Sequence, residues 1–279
     1  MKKILITGAG GYIGRHVVQK LLEHDSVQVI ATDLSVDGID ERAQIIKADI
    51  FGEFEDIFAY LGSPDACVHM AWRDGFVHNS HAHMGDLSRH YNFLTTMLDG
   101  GLRQLTVMGT MHEIGYHEGA IDEKTPCNPI SMYGIAKDAL RKSTQLFIGA
   151  KDIVFQWLRA FYIYGDDKRN NSIFAKLLLA AEEGKKEFPF TTGKNLYDFI
   201  HVEELADQIA ACAVQSEVTG IINCCKGKPV SLADKVEEFI RENGLNIKLV
   251  YGAFPDRQYD SPGIWGDSRK IERILGKNR

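Results

Sequence analysis

Apolar runs rich in Ile, Val and Leu alternate with helical patterns through the first half of the chain. The runs KKILIT, VQVIATD, AQIIKAD, ACVHMAW, LRQLTVMGT and DIVFQWLRA predict strands. Between them, YIGRHVVQKLLEH, LSRHYNFLTTMLDGG and MYGIAKDALRKSTQLF have the spacing of amphipathic helices. Such alternation is typical of βαβ units, and uninterrupted apolar strands are typical of a parallel sheet covered on both faces. The pattern therefore predicts a doubly wound α/β fold.

The regularity loosens after about Gly165, where short strand patterns mix with Gly, Pro and Asp turns. Two helices are still predicted there, in NSIFAKLLLAAEEG and VSLADKVEEFIREN. We therefore predict a main domain over residues 1–165, and a smaller, C-terminal substrate-binding lobe over most of residues 166–279. A segment of about residues 195–225 is expected to return to the main domain.

Composition and charge narrow the classes of function. The 279 residues are 44% hydrophobic and 25% charged, with a formal net charge of -6. A chain without a basic surplus is poorly suited to binding nucleic acid. No run approaches the roughly 18 apolar residues that span a bilayer, and the N-terminus lacks the apolar region of a signal peptide. These features predict a cytoplasmic protein with neither a nucleic-acid nor a membrane partner.

The five cysteines are odd in number and lack the spacing of metal ligands. Two of them, Cys224 and Cys225, are adjacent in an apolar run that resembles a strand. We interpret all five as reduced packing residues, and we predict no metal site.

The segment ILITGAGGYIGRHVV places Gly8, Gly11 and Gly14 directly after the first predicted strand and at the start of a helix. The first glycine permits a tight turn, the second lets the backbone approach a pyrophosphate, and the third lets helix and strand pack closely. The helix N-terminus adds free N–H groups and a partial positive charge. This arrangement predicts a dinucleotide site on the Rossmann type of doubly wound parallel sheet.

Asp33 ends the second predicted strand, where a carboxylate can accept hydrogen bonds from the adenosine ribose. The nearest cation that follows is Arg42, so nothing beside Asp33 would hold a 2′-phosphate, and NAD is favoured over NADP. A turn-forming aspartate is the alternative interpretation of Asp33. Asp49, after the run IIKA, is a further candidate at the adenine edge, although Asp is also common at strand ends.

Tyr133 and Lys137 lie four residues apart, and hence on one face of a predicted helix. The simpler interpretation is a half-buried tyrosine beside a solvated lysine. Lowering the phenol pKa by three units takes roughly 4 kcal/mol, which a cation about 4 Å away supplies at an effective dielectric constant near 20. We therefore expect Lys137, aided by an oxidised nicotinamide, to lower the pKa of Tyr133. The phenol could then exchange a proton with a substrate hydroxyl or carbonyl.

The glycine loop and the Tyr-x-x-x-Lys pair, with the segments VHMAW, LRAFYIYG and YDFIHVEELADQI, resemble the extended short-chain dehydrogenase/reductase family over nearly the whole chain. That family comprises nucleotide-sugar epimerases, dehydratases and reductases. The resemblance implies a third catalytic residue, Thr110, whose hydroxyl holds the substrate oxygen. A threonine that caps a strand end is the alternative. The resemblance also implies a wider set of cofactor contacts: Tyr12, Ile13, Ile50, Met70, Ala71 and Trp72.

The residues after Thr110 bear on the type of reaction. Dehydratases of the family carry an Asp-Glu pair there, whereas this chain has Met111 and His112. Glu113 comes one position late and is expected to point elsewhere, so dehydration is disfavoured. His112 becomes a candidate substrate contact or auxiliary acid–base group, with a hydrogen-bonded loop histidine as the alternative.

Near the C-terminus, RQYDSPGIWGDSRKI resembles the segment in which epimerases of the family bind the diphosphate and ribose of the substrate. The resemblance implies that Arg257 binds the diphosphate and Asp260 the ribose, although both also suit a charged surface. Tyr162 and Tyr197 depart from the family, which has Asn and Arg at these places. The remaining candidate substrate contacts lie in the neighbouring loops: Tyr162, Arg169, Asn171 and Lys194.

Together these features predict an NAD-dependent oxidoreductase that acts on a nucleotide-linked sugar, as a C4 epimerase or a 4-ketoreductase. The choice between these two reactions stays open at this point. A non-catalytic NAD-binding sensor or scaffold of the same fold is the alternative from another class. The resemblance also implies a homodimer, formed through the helices that contain LSRHYNFLTTML and YGIAKDALRKSTQLF.

Overall fold

A parallel sheet forms the centre of the computed structural model, which describes residues 1–165, 172–256 and 260–276. The strands in chain order are β1 (Lys2–Thr7), β2 (Val27–Asp33), β3 (Gln44–Lys47), β4 (Ala66–His69), β5 (Gln104–Thr110), β6 (Gly119–Ile121), β7 (Val154–Ala160), β8 (Tyr162–Tyr164), β9 (Glu187–Pro189), β10 (Leu196–His201), β11 (Gly220–Cys224), β12 (Pro229–Ser231), β13 (Lys248–Val250) and β14 (Gly263–Gly266). Seven of these described strands are joined in the order β11-β7-β5-β4-β1-β2-β3, and each neighbouring pair is parallel. The α/β prediction is confirmed.

Helices cover both faces of this sheet. The helices of the described residues, in chain order, are α1 (Tyr12–Leu22), α2 (Ile57–Tyr60), α3 (Ala82–Gly85), α4 (Leu87–Gly100), α5 (Met132–Ile148), α6 (Ile173–Glu182), α7 (Val202–Val214), α8 (Leu232–Glu242) and α9 (Arg269–Ile274), with a 3-10 turn at Met111–Glu113. Alternate residues of β1 enter different layers, because side chains alternate along a strand. Ile4 and Ile6 join the core beneath α1 and α7, whereas Leu5 joins the core beneath α4 and α5. No described helix is long and apolar enough to cross a bilayer.

A second, smaller sheet lies in the C-terminal part of the chain. Its strand order is β12-β10-β14-β6, and β8 also pairs with β10. A separate core, which includes Phe174, Phe199 and Phe239, packs between this sheet and helices α6 and α8. Within the segment of about 195–225, β10 pairs in the small sheet, whereas β11 pairs with β7 in the large one. The sequence boundaries of the two domains stay a prediction.

The strand order places three functional segments at one edge of the large sheet. The chain builds β2 and β3 on one side of β1 and then crosses to its other side for β4 and β5. Ligands of open α/β sheets bind outside the carboxyl ends of the strands at such a reversal. Here β1, β4 and β5 end at Thr7, His69 and Thr110. The glycine loop, the VHMAW segment and Thr110 therefore converge.

A buried carboxylate ties the small sheet to the neighbouring turns. Asp198 lies in β10 and is fully buried. One of its oxygens accepts the N–H of Lys226 at 2.9 Å, and the other accepts the N–H groups of Gly227 at 2.9 Å and Gly266 at 3.1 Å. Burial raises the pKa of this carboxyl, and the three N–H donors oppose that shift. Asp198 thus links β10 to the segments that follow β11 and end β14.

Replacing Asp198 by Ala should lower the free energy of unfolding by about 2–4 kcal/mol, because three N–H groups lose their acceptor. Urea denaturation followed by circular dichroism measures the change. Asp99→Ala is the matched control, since that carboxylate is 65% exposed and meets only Lys151, at 3.4 Å, in the described residues. Equal denaturation midpoints for the two variants would contradict this account of Asp198.

Candidate active site

The glycine loop has the geometry that a pyrophosphate requires. Gly8 has a φ of 72°, and a Cβ added there would lie 2.6 Å from the backbone nitrogen of Ala71. A Cβ on Gly14 would lie 2.1 Å from the carbonyl oxygen of Gly8. Gly11 is the N-cap of α1, where no side chain caps the helix and the first turn has no acidic residue. The first N–H groups of α1 are therefore suited to an anion.

Asp33 faces this loop. One carboxylate oxygen accepts the N–H of Gly10 at 2.9 Å, and the other accepts the N–H of Leu34 at 2.7 Å. Arg42, the nearest cation that follows in the sequence, pairs with Asp40. Sequence reasoning missed Gly10, although the GAGG run was the available signal. A Cβ there would lie 2.1 Å from a backbone oxygen, so the close approach of the loop to the segment after β2 needs a fourth glycine. The role of Asp33 toward the ribose stays a prediction.

The segment after β4 lies against the first glycine of the loop. The N–H of Met70 donates to the carbonyl of Thr7 at 3.1 Å, and the N–H of Ala71 lies 3.3 Å from the Thr7 hydroxyl oxygen. The Met70 bond continues the pairing of β1 with β4, and the Ala71 bond goes to a side chain of β1. Met70 and Ala71 therefore lie at the edge of the predicted cofactor site.

The other predicted cofactor contacts differ in position. Tyr12, at the start of α1, lies close to Gly165, which follows β8. A Cβ added to Gly165 would be 2.7 Å from the Tyr12 hydroxyl oxygen. Ile13 packs on the core beneath α1, and Ile50 is buried in the core of the opposite face. Asp49 is exposed and accepts the N–H of Phe51 at 2.9 Å. Their contacts with a cofactor stay predictions.

Helix α5 brings the predicted catalytic residues together. It begins after Ser131, whose hydroxyl oxygen accepts the N–H of Gly134 at 3.1 Å. Tyr133 lies in the first turn and is hydrogen-bonded through its side chain to Thr110. Lys137 lies one turn later and is buried, with its Nζ donating to the carbonyl of Met108 at 2.7 Å. Thr110, Tyr133 and Lys137 thus form one group at the end of β5.

The prediction that Lys137 lowers the pKa of Tyr133 is wrong when only the groups of the protein are considered. Burial raises the pKa of the Tyr133 phenol, and the hydrogen bond with Thr110 opposes this only in part. Burial also lowers the pKa of Lys137 to about 7, against the charge of Glu113. The ammonium lies 6.0 Å from the centre of the Tyr133 ring and is directed at Met108. Desolvation, which residue spacing does not reveal, therefore outweighs the attraction between the two groups.

Trp72 occupies the centre of the site. The Nζ of Lys137 lies 3.8 Å from the centre of its indole ring. His90 stacks on the indole at 4.3 Å with an interplanar angle of 16°. The indole N–H donates to Nδ1 of His83 at 3.0 Å, and the other nitrogen of His83 lies 3.0 Å from the carbonyl of Val77. Trp72 therefore contacts the lysine directly and is held by two histidines.

A chain of buried histidines continues from Trp72 to the glycine loop. His69 bonds to the Thr7 hydroxyl at 2.8 Å through Nδ1 and to Nδ1 of His90 at 2.9 Å through Nε2. Burial, with the charge of Lys137, lowers the pKa of His69 to about 3 and also lowers the pKa of His90. Both imidazoles are therefore neutral at pH 7. Sequence reasoning found neither role, because an isolated histidine gives no pattern.

Two further imidazoles flank Tyr133. The rings of His112 and His78 contact each other at a tilt, with centres 4.3 Å apart, and the ring of Tyr133 stacks on His78 at 5.8 Å and lies 6.1 Å from His112. The carbonyl of His78 also accepts the N–H of Tyr133 at 2.9 Å. Burial lowers the pKa of His112 to about 3. This histidine is therefore neutral at pH 7 and suited to hydrogen bonding rather than to supplying a proton as a cation.

Glu113 bonds to the N–H of Thr110 and to two side chains of β7. It is fully buried, and its Oε1 accepts the N–H of Thr110 at 2.8 Å and the indole N–H of Trp157 at 2.7 Å. Its Oε2 accepts Nε of Arg159 at 3.2 Å. The Thr110 hydroxyl in turn accepts the N–H of His112 at 3.3 Å, which completes a capping box. Thr110 therefore has a fixed orientation, and its own proton is left to point toward Tyr133.

A thiol and two carboxylates lie close together behind this turn. Oxygen and sulfur atoms of Glu113, Cys127 and Asp138 are within 4.8 Å of one another. Two guanidinium groups enter the same space: Arg159 donates to the sulfur of Cys127 at 3.2 Å, and Arg141 bonds to Asp138 at 2.6 Å. These cations balance the carboxylates, so the group is an ion-pair network rather than a set of metal ligands. Cys127 is a hydrogen-bond acceptor here and not only a packing residue.

The predicted substrate contacts are described in part. The ring of Tyr162 contacts that of Tyr197 at a tilt of 31°, with ring centres 4.1 Å apart. Burial raises the pKa of Tyr162, and the charges of Tyr197 and Asp260 add to the shift, which places Asp260 near this pair. Lys194 is exposed. Three candidates lie outside the described residues: Arg169, Asn171 and Arg257.

Comparison with known proteins identifies the family. The model of the NAD dependent epimerase/dehydratase family matches residues 4–225. The chain belongs to that family. The predicted class of NAD-dependent nucleotide-sugar enzymes is thereby confirmed, and so is NAD as the cofactor.

The chain is also similar to individual members of the family. It is 43% identical over 267 residues to a dTDP-6-deoxy-L-talose 4-dehydrogenase (NAD(+)) of Aggregatibacter actinomycetemcomitans, covering 94% of this chain and 98% of the relative. It is 24% identical over 286 residues to a putative UDP-glucose 4-epimerase of Methanocaldococcus jannaschii, covering 97% and 92%.

Solved structures share the fold. A UDP-glucuronic acid 4-epimerase from Bacillus cereus, in complex with UDP-glucuronic acid and NAD, matches with a TM-score of 0.81 at 21% identity, over 99% of this chain and 93% of that chain. A UDP-glucose 4-epimerase from Thermotoga maritima matches with a TM-score of 0.80 at 21% identity, over 97% and 91%. The Rossmann prediction is confirmed by this likeness.

Glu113→Gln should reduce turnover about tenfold and also lower stability. One amide hydrogen of the new side chain would face either the N–H of Thr110 or the guanidinium of Arg159, so Thr110 would lose its fixed orientation. Steady-state kinetics with the sugar nucleotide and thermal unfolding measure the two effects. Glu118→Gln, at an exposed carboxylate of the next loop, is the control. Full turnover in a destabilised Glu113→Gln protein would show that Glu113 supports folding alone.

Proposed function

We propose that this chain is an NAD-dependent 4-dehydrogenase of a dTDP-linked 6-deoxyhexose, which in the reverse direction is a 4-ketoreductase. The observation that carries the proposal is the similarity to dTDP-6-deoxy-L-talose 4-dehydrogenase, at 43% identity over nearly the whole length of both chains. The epimerases among these relatives are 24–27% identical. The reaction is the oxidation of a C4 hydroxyl to a ketone with reduction of NAD to NADH and release of one proton.

The residues of the glycine loop fit the cofactor. The N–H groups at the start of α1 would bind the pyrophosphate, and Asp33 would accept hydrogen bonds from the adenosine ribose. Met70, Ala71 and Trp72 would line the nicotinamide side, next to Lys137. Bound NAD would accept the hydride that leaves C4 of the sugar, and bound NADH would donate a hydride to that carbon in the reverse direction.

Tyr133 is the residue that donates and accepts the proton. In the reductive direction its phenol gives a proton to the C4 carbonyl oxygen, and in the oxidative direction it takes one from the hydroxyl. Burial raises the pKa of Tyr133, which keeps the phenol protonated and suits it to the reductive role. Thr110 would hold the same substrate oxygen through the hydroxyl that is hydrogen-bonded to Tyr133. The charge of Lys137 stabilises the phenolate that forms after transfer.

Several residues are proposed as contacts of the sugar nucleotide. His112 and His78 lie beside Tyr133 as polar rings, where they can hydrogen-bond to hydroxyls of the sugar, and His112 is neutral at pH 7. Tyr162 and Asp260 lie at the small sheet, where the nucleotide would extend. Asn171 as a substrate contact and Arg257 as the diphosphate contact belong to the same proposal.

Substrate assays separate this reaction from the alternatives. With dTDP-6-deoxy-L-talose and NAD, the absorbance band of reduced nicotinamide should grow in step with loss of the sugar nucleotide. UDP-glucose and UDP-galactose should not interconvert. Interconversion without a net change in NAD would instead make the protein an epimerase. NAD binding without turnover of any of these sugar nucleotides would support a sensor.

Tyr133→Phe should lower kcat by about 10²–10⁴-fold while NAD binds with nearly unchanged affinity, because only the group that transfers the proton is removed. Stopped-flow turnover and calorimetric NAD binding measure the two effects. Tyr116→Phe is the matched control, since that hydroxyl is exposed and bonds only to Glu118 in the described residues. Activity of Tyr133→Phe equal to that of the control would exclude the assigned role.

The homodimer implied by the resemblance stays a prediction, and α5 offers a surface for it. Leu146 is 84% exposed and Ile135 is 43% exposed. Eleven residues are close to three helical turns, so both side chains lie on one face. Light scattering should give twice the chain mass, and Leu146→Glu should give the monomer, whereas Leu179→Glu on α6 should not. A monomeric wild-type protein would contradict the prediction.

A further inference from the structure

We propose that Trp72 is a positioning residue that keeps the Lys137 side chain cationic and in place for proton transfer. The inference rests on the proposed function in one respect, because it takes Lys137 to act as a cation beside Tyr133. It goes further by assigning the indole, and not a carboxylate, as the group that stabilises this buried charge.

Two groups contact the Lys137 ammonium directly in the described part of the chain. One is the carbonyl of Met108, at 2.7 Å, and the other is the face of the Trp72 indole, whose centre is 3.8 Å away. Glu113 attracts this charge from further away, but its oxygens are bonded to Thr110, Trp157 and Arg159. No carboxylate of the described residues forms an ion pair with Lys137. A buried ammonium with one carbonyl acceptor needs another source of stabilisation.

The indole is held by contacts that do not involve the lysine. Its N–H donates to His83, and His90 stacks on it at 4.3 Å. His83 is itself fixed by the carbonyl of Val77, and His90 by His69. A ring fixed in this way presents its electron-rich face to the ammonium without further ordering. Cation–π attraction is strongest for tryptophan and increases when the pair is desolvated.

The titratable groups around Lys137 make the contact with the indole a main source of stabilisation for the ammonium. His69 from β4 and His90 from α4 face the ammonium, and both are neutral at pH 7 because burial lowers their pKa values. Tyr133 faces it from α5 itself and is protonated, and Glu113 faces it from the 3-10 turn. Because the indole favours the charged lysine, its loss should lower the pKa of Lys137. The cation would then be lost at a lower pH.

The test compares Trp72→Leu and Trp72→Phe with the wild-type protein. In the ketoreductase direction, the alkaline limb of kcat/KM reports loss of the Lys137 proton in the free enzyme. The limb should move to lower pH by about one unit in Trp72→Leu, with a smaller shift in Trp72→Phe, which keeps a weaker aromatic face. The acidic limb should stay in place. Trp265→Phe, in β14 of the small sheet, is the control.

A second measurement does not depend on turnover. The Lys137 side chain is titrated by NMR in lysine-labelled protein with NAD bound, and its signal is assigned by its absence in Lys137→Met. The same order of pKa values, wild type above Trp72→Phe above Trp72→Leu, supports the inference. If this order appears while no sugar nucleotide is turned over, the proposed function fails and the role of Trp72 stands.

Unchanged Lys137 titration in a folded Trp72 variant would overturn the inference. So would a loss of thermal stability with an unmoved alkaline limb, since Trp72 would then act by packing alone. If Trp72→Leu does not fold, Trp72→Phe decides the question by itself, because its ring fits the same space. A shift equal to that of the Trp265→Phe control counts as no shift.

Discussion

A buried ammonium bound to a strand carbonyl fixes the geometry of the candidate active site. Lys137 reaches from α5 to the carbonyl of Met108, two residues before the end of β5. This bond sets the helix at the edge of the sheet, and Tyr133, one turn earlier, then meets Thr110. Burial removes this ammonium from water, which lowers the pKa of Lys137 to about 7. The buried site therefore positions Lys137 but disfavours its charged form. The surrounding aromatic groups have to stabilise that charge.

The neighbours of this lysine are neutral polar rings and not ions. His69, His90 and His112 all lose basicity on burial, and Trp72 is bonded or stacked to two histidines of the same cluster. Such surroundings hold little mobile charge, so a charge that develops during the reaction is weakly screened. The ion pairs are kept one layer further back, around Glu113, where they orient the Thr110 turn.

The parts of this picture that follow local rules could be predicted from the sequence. Uninterrupted apolar runs predicted the parallel strands, the glycine spacing predicted the Gly8 turn, and the four-residue spacing predicted that Tyr133 and Lys137 share a face. The pKa of Tyr133 could not be predicted, because its burial depends on loops and strands from distant parts of the chain. His78 and His83 belong to no motif, and short strands such as β8 depend on pairing with β10 across the fold. Gly10 was overlooked because three spaced glycines already completed a motif.

Transfer of deuterium from NADH that carries deuterium at both positions of C4 of the nicotinamide tests the central claim most directly. The sugar nucleotide substrate is the 4-keto form of a dTDP-linked 6-deoxyhexose, and the product is analysed by NMR and mass spectrometry. The account predicts one deuterium at C4 of the product sugar for each NADH oxidised, because hydride and proton meet at the carbonyl beside Tyr133. Label that is absent from the sugar, or bound to another carbon, would contradict the assignment of this site and of its chemistry.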